Sequence, residues 1–99
     1  MNRTQKSKCR QIAERYGIQN QERQAVSELA ELLEVLTRRP NQRGQNWRER
    51  LIDEISDVRI MIQQLLTLHD IDPETISEQI DFKLNRQLGR MEKEVTDNA

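Results

Sequence analysis

Two short stretches constrain this chain more than anything else in it. SELAELLEVL holds Glu28 and Glu31, and LIDEISDVRIMI holds Glu54 and Asp57. In each, two carboxylates stand three residues apart among leucines, isoleucines and valines. A helix sets residues i and i+3 on one face, so each pair shares a surface. On the first stretch, Glu28 and Glu31 flank the apolar stripe of Leu29, Leu32, Leu33 and Leu36. On the second, Glu54 and Asp57 lie between apolar side chains on a helix that is apolar around most of its circumference, the pattern of a central helix. Four carboxylates gathered beside an apolar core repel one another unless a cation lies between them. Mg²⁺, a hard ion that prefers oxygen ligands, is the natural counter-charge.

Spacing alone does not single these acids out, because acidic i, i+3 pairs also fall at 31/34, 78/81 and 94/97. The apolar setting does. The remaining pattern is helical throughout, with only 3 glycines, 2 prolines and no β-type alternation. A first helix is predicted over about residues 4–16, stopping at Gly17, and a second over about 20–38. RRPNQRGQN, with Pro40 and Gly44, is the clear loop. A third helix is predicted over about 46–69 with Asn46 as N-cap. Asp72 then caps a last helix that opens with Pro73 and Glu74 and runs to about residue 95.

The 99 residues make one all-α domain. Its apolar fraction is only 34%, with three aromatics: Tyr16, Trp47 and Phe82. So thin a core leads us to expect a four-helix, bundle-like domain completed by oligomerisation, as a homodimer or homotetramer. Sixteen basic residues against 17 acidic give a net charge of −1, which argues against nucleic acid as a partner. Cys9 is the lone cysteine, so a disulfide framework is excluded within the chain and a cytoplasmic location is expected. The basic helix around Cys9 is expected to lower its pKa. The opening MNRTQKSKCRQ is not a signal peptide, and no run is long enough for a membrane span.

The order of these segments resembles the MazG-like, all-α nucleotide pyrophosphohydrolases. Their hallmark is E-x-x-E, a spacer and E-x-x-D, matched here by Glu28-x-x-Glu31 and Glu54-x-x-Asp57. Twenty-two residues lie between Glu31 and Glu54. The neighbours E-L-A-E-L, D-E-I-S-D-V and K-L-N-R also fit. The likeness runs from about Tyr16 to Arg90, leaving roughly residues 1–15 unmatched, and is greatest to the short, single-domain members carried by phages.

The resemblance implies hydrolysis of a nucleoside triphosphate between its α and β phosphates, giving a monophosphate and pyrophosphate. It implies Mg²⁺, with Mn²⁺ as a substitute, held by Glu28, Glu31, Glu54 and Asp57, which are thus both metal ligands and catalytic residues. Lys83 and Arg86, on a basic stripe of the last helix, are expected to bind phosphate; the plain alternative is a solvated face. Gln21 and Gln24 extend the acidic face and suit hydrogen bonding to a base. Trp47 suits a core or interface anchor better than a base-stacking platform. His69 suits a helix end.

Two rivals belong to other classes. QIAERYGIQNQERQAV resembles a helix-turn-helix, although its second helix runs into the acidic SELAELLE, which phosphates would repel. A non-catalytic helical adaptor would instead pair the acids with arginines such as Arg59.

Overall fold

The computed structural model describes residues 1–98. It is all-α: α1 (Arg3–Thr37), α2 (Trp47–Leu68) and α3 (Pro73–Asn98), with a short 3₁₀ turn at Pro40–Gln42. No strand occurs among the described residues.

Each start has a local cause. At α1, the Asn2 side chain accepts from the Gln5 backbone N–H, while Gln5 Oε1 accepts from the Asn2 backbone N–H, both at 2.9 Å. This reciprocal box satisfies two donors that the first helical turn leaves free. At α3, Asp72 Oδ1 accepts from the Glu74 N–H at 2.9 Å, and Pro73 occupies the first helical position, as expected. Asn46 does precede α2, but its side chain makes no cap bond.

The expected break at Gly17 is present: the first two expected helices meet there at a kink within the span Arg3–Thr37. No loop separates them; Gly17 alone leaves helical geometry, at φ 80°, ψ 170°, and the helix resumes on its far side. That region of backbone space is essentially reserved for glycine. The glycine was legible as a breaker, but a single residue suffices for the break.

The part of α1 after Gly17 runs antiparallel to α2, and the core lies between α1 and α2. From α1 it takes Cys9, Ala13, Gln21, Ala25 and Val35; from α2 it takes Glu54, Val58, Met61 and Gln64. Steps of three and four residues generate this seam, as in a two-helix coiled packing. Trp47 closes the loop end: its indole N–H donates to the Val35 carbonyl at 2.9 Å, and the Arg43 guanidinium lies 3.9 Å over its ring. Trp47 is therefore an anchor of the hairpin.

α3 buries none of its residues. Ile76, Ile80, Leu84, Leu88 and Met91 repeat at helical spacing and stay exposed. The second apolar face of α2, carrying Ile52, Ile55 and Ile62, is equally open, so α2 is central on one side only. The Cα radius of gyration is 17.6 Å, well above the ~13 Å of a compact chain of about 100 residues. The single chain is thus a kinked α1 packed on α2, with an α3 that buries nothing. No helix among the described residues is long and apolar enough to cross a membrane.

Candidate metal centre

The hairpin brings the two acidic pairs together. Glu28, Glu31, Glu54 and Asp57 each offer a carboxylate oxygen, and these four atoms lie within 4.8 Å of one another. Glu28 continues the core-facing series of Gln21 and Ala25, and Glu54 that of Val58 and Met61, so the packing that buries the seam also aims these acids inward. Glu54 is 9% exposed, whereas Glu31 stands at the open rim.

The electrostatics are uncompensated. Glu28 Oε2 and Glu54 Oε2 are buried without a hydrogen-bond partner. No arginine, lysine or histidine forms an ion pair with any of the four acids among the described residues; the pairs present join Glu14, Glu22 and Glu34 to other groups. Burial raises the Asp57 pKa above the ordinary aspartate value, and the charges of Glu28 and Asp53 push it the same way. Isolated carboxylates in such a setting are costly unless they bind protons or cations.

The donor set fits a hard divalent ion. All four ligands are carboxylate oxygens, the type that Mg²⁺ and Mn²⁺ favour. Opposite ligands around Mg²⁺ lie ~4.2 Å apart, twice a bond of about 2.1 Å, so a 4.8 Å spread is within a small side-chain adjustment of such a sphere. The two buried oxygens without a hydrogen-bond partner are compatible with a cation between the acids.

An open cleft of about 490 Å³ adjoins the cluster, sharing Glu28 and Asp57 with it. Gln21 and Gln24 line it, as do Tyr16, Asn20 and Gln64. Gln21 Nε2 donates to Gln64 Oε1 at 2.6 Å in its buried floor. Gln24 Nε2 donates to Glu28 Oε1 at 2.7 Å and so orients the first acid of the cluster. Sequence reading pointed to Gln21 and Gln24 but missed Asn20 and Gln64. The available signal for Gln64 was a polar residue three positions beyond Met61, on the buried side of α2.

Lys83 and Arg86 are not brought to the cluster by contacts within this chain. Both are exposed on α3, neither lines the cleft, and Arg86 lies 5.5 Å over the ring of Phe82. His69 ends α2, as expected, and its Nε2 lies 3.3 Å from Glu22. Cys9 corrects an expectation. Its thiol is buried, 3.9 Å from Met1 Sδ, and burial raises its pKa where the basic sequence around it suggested a lowering. Desolvation outweighs the exposed, solvent-screened lysine and arginine beside it in sequence.

No family model matches the chain, and neither a curated protein nor a solved structure matches it.

Proposed function

We propose that the protein is a Mg²⁺-dependent nucleoside triphosphate pyrophosphohydrolase of the MazG-like kind, cleaving between the α and β phosphates. The observation that carries this reading is the convergence of four carboxylates, two with orphaned buried oxygens, without a protein cation between them. Glu28, Glu31, Glu54 and Asp57 would hold the metal, and Mn²⁺ suits the same donors. When bound, the metal supplies charge neutralisation for the triphosphate and activation of the attacking water. Gln24 fixes the rotamer of Glu28 through its hydrogen bond. The adjoining cleft gives the nucleoside a place beside the reacting phosphates.

The adaptor reading predicts carboxylates paired with arginines, and the absence of such pairs around the cluster among the described residues favours the metal reading. The same acids face away from any role on a DNA backbone, which would repel them.

The oligomer belongs to this proposal. The exposed stripe of α3 and the open face of α2 are both apolar and both lack a partner within the chain. A second copy covering them, in a homodimer or homotetramer, completes the core of a four-helix, bundle-like assembly. It also offers Lys83 and Arg86 a route to a neighbour's triphosphate.

Pyrophosphate release from nucleoside triphosphates with Mg²⁺, with Asp57→Asn as control, tests the function. Release that the substitution abolishes is expected. Absence of release from every nucleotide, together with a melting temperature indifferent to Mg²⁺, sinks the reading.

A further inference from the structure

The four acids lie between two unlike surroundings. On the cleft side, Gln21 and Gln24 precede Glu28 on α1, and Met61 and Gln64 follow Asp57 on α2. On the side of the loop, Glu34 and Arg38 follow Glu31 on α1, and Arg50 precedes Glu54 on α2. Because these segments run antiparallel, the arginines stand across the acids from the cleft. There they meet on one carboxylate: Arg38 Nη2 lies 3.1 Å from Glu34 Oε1, and Arg50 Nη2 lies 3.7 Å from Glu34 Oε2. Arg50 and Glu54 have the i, i+4 spacing that permits an ion pair, a rise of about 6 Å. Arg50 turns to Glu34 instead, and no ion pair reaches Glu54 among the described residues. A hollow of about 220 Å³ beside the two arginines is lined by Arg38, Arg43 and Arg50 and, among the described residues, by no acid. Arg43 is set there by the Trp47 ring beneath it and by its Nε, which donates to the Arg38 carbonyl at 3.0 Å. Positive charge is thus in local surplus in a chain whose net charge is −1.

We infer that Arg38 and Arg50 bind the β and γ phosphates of the substrate, which lies along the helix pair with its nucleoside over the cleft, its α phosphate at the acids and its pyrophosphate end toward the loop. This rests on the nucleotide reading of the carboxylates and deepens it by fixing the direction of the substrate and its class, triphosphate over diphosphate. A guanidinium offers five N–H donors in a planar fork that matches phosphate oxygens in pairs. Each arginine turns one nitrogen to Glu34 and keeps the rest of its fork for a ligand. Exposed ion pairs of this kind hold a fold together only weakly, so a polyphosphate, which carries more charge than one carboxylate, displaces Glu34 with little loss. Glu34 therefore marks the place of an anion between the two arginines and, until one arrives, keeps Arg50 off Glu54. A diphosphate that sets its α phosphate at the acids lacks the γ group and forgoes part of this contact.

The test is calorimetric binding of inorganic tripolyphosphate, and of the α,β-methylene analogues of ATP and ADP, to the full chain with Mg²⁺, beside pyrophosphate release from ATP, GTP, CTP and UTP. Arg38→Gln/Arg50→Gln is expected to weaken tripolyphosphate about tenfold or more and to bring the ratio of the ATP to the ADP analogue toward one. Arg39→Gln/Arg48→Gln removes the same charge from positions that do not line the hollow, and is expected to change tripolyphosphate affinity by about twofold at most. Glu34→Gln removes the competing anion and is expected to tighten tripolyphosphate about threefold, a gain that a purely structural ion pair would not give. All of these positions are exposed, so each variant is expected to fold. Absence of tripolyphosphate binding, an equal loss in Arg39→Gln/Arg48→Gln, an analogue ratio unmoved by Arg38→Gln/Arg50→Gln, or no gain in Glu34→Gln overturns the inference even if hydrolysis is observed. Tripolyphosphate binding that depends on Arg38 and Arg50, without pyrophosphate release from any nucleotide, overturns the catalytic reading and leaves the phosphate site standing.

Discussion

Gln21 and Gln64, 43 positions apart, share one buried hydrogen bond of 2.6 Å that ties α1 to α2 beneath the cleft. Gln64→Met removes one partner and leaves the Gln21 amide desolvated and unpaired, which costs about 1–3 kcal/mol. The double substitution Gln21→Leu/Gln64→Met replaces the pair with apolar groups and recovers most of that loss. Chemical denaturation of the two singles and the double checks this. Additive losses would mean that the two amides do not depend on each other.

The carboxylate cluster destabilises the metal-free fold. With its folded pKa raised, Asp57 binds a proton more tightly in the native state than in the unfolded chain. Metal-free stability therefore falls as pH climbs from the ordinary aspartate value of about 3.9 through the raised one. Asp57→Asn should flatten that decline and melt no lower than the parent at neutral pH without metal, and Glu54→Gln should also melt no lower there. Both should lose the stabilisation by Mg²⁺, worth about 2.7 kcal/mol at a hundredfold excess over Kd. A marked drop in metal-free melting temperature in both variants would instead make the acids structural partners.

Gly17 isolates backbone strain from packing. A Cβ built there meets no atom within 4 Å, yet φ is +80°. Gly17→Ala should thus cost on the order of 1–3 kcal/mol through conformation alone. Ile12 and Tyr16 precede the break while Asn20, Gln21 and Gln24 follow it, so a straightened helix would also displace one wall of the cleft. A thermal melt of Gly17→Ala that matches the parent would show that the torsion carries no cost.

The proposed function ties assembly and phosphate binding together through α3. Leu84→Asp/Leu88→Asp should reduce the assembly to monomers by light scattering, while leaving the α1–α2 hairpin helical. Lys83→Ala should preserve assembly and Mg²⁺ binding and weaken the triphosphate analogue by about tenfold, the loss of one charged phosphate contact. Equal loss of metal and nucleotide affinity would remove Lys83 from the phosphate site.

Much of this was legible before any coordinates. The acidic pairs announced themselves because their neighbours were apolar, and helical periodicity then fixed which side they face. Asp72 and Pro73 marked the start of α3 through local chemistry alone. Two things were not legible, each for a physical reason. The Gln21–Gln64 bond depends on the register of two helices. The rise in the Cys9 pKa comes from burial, which the flanking lysine and arginine do not reveal.

The exposure of α3 bears on more than assembly. A helix of 26 residues that buries nothing is sustained by hydrogen bonds and intrinsic propensity, a marginal balance in water. Its persistence then depends on how often another surface meets it. Far-ultraviolet ellipticity, ordinarily a constant of a folded protein, should here vary with protein concentration, because dilution lets the last third of the helical content fray while the hairpin holds.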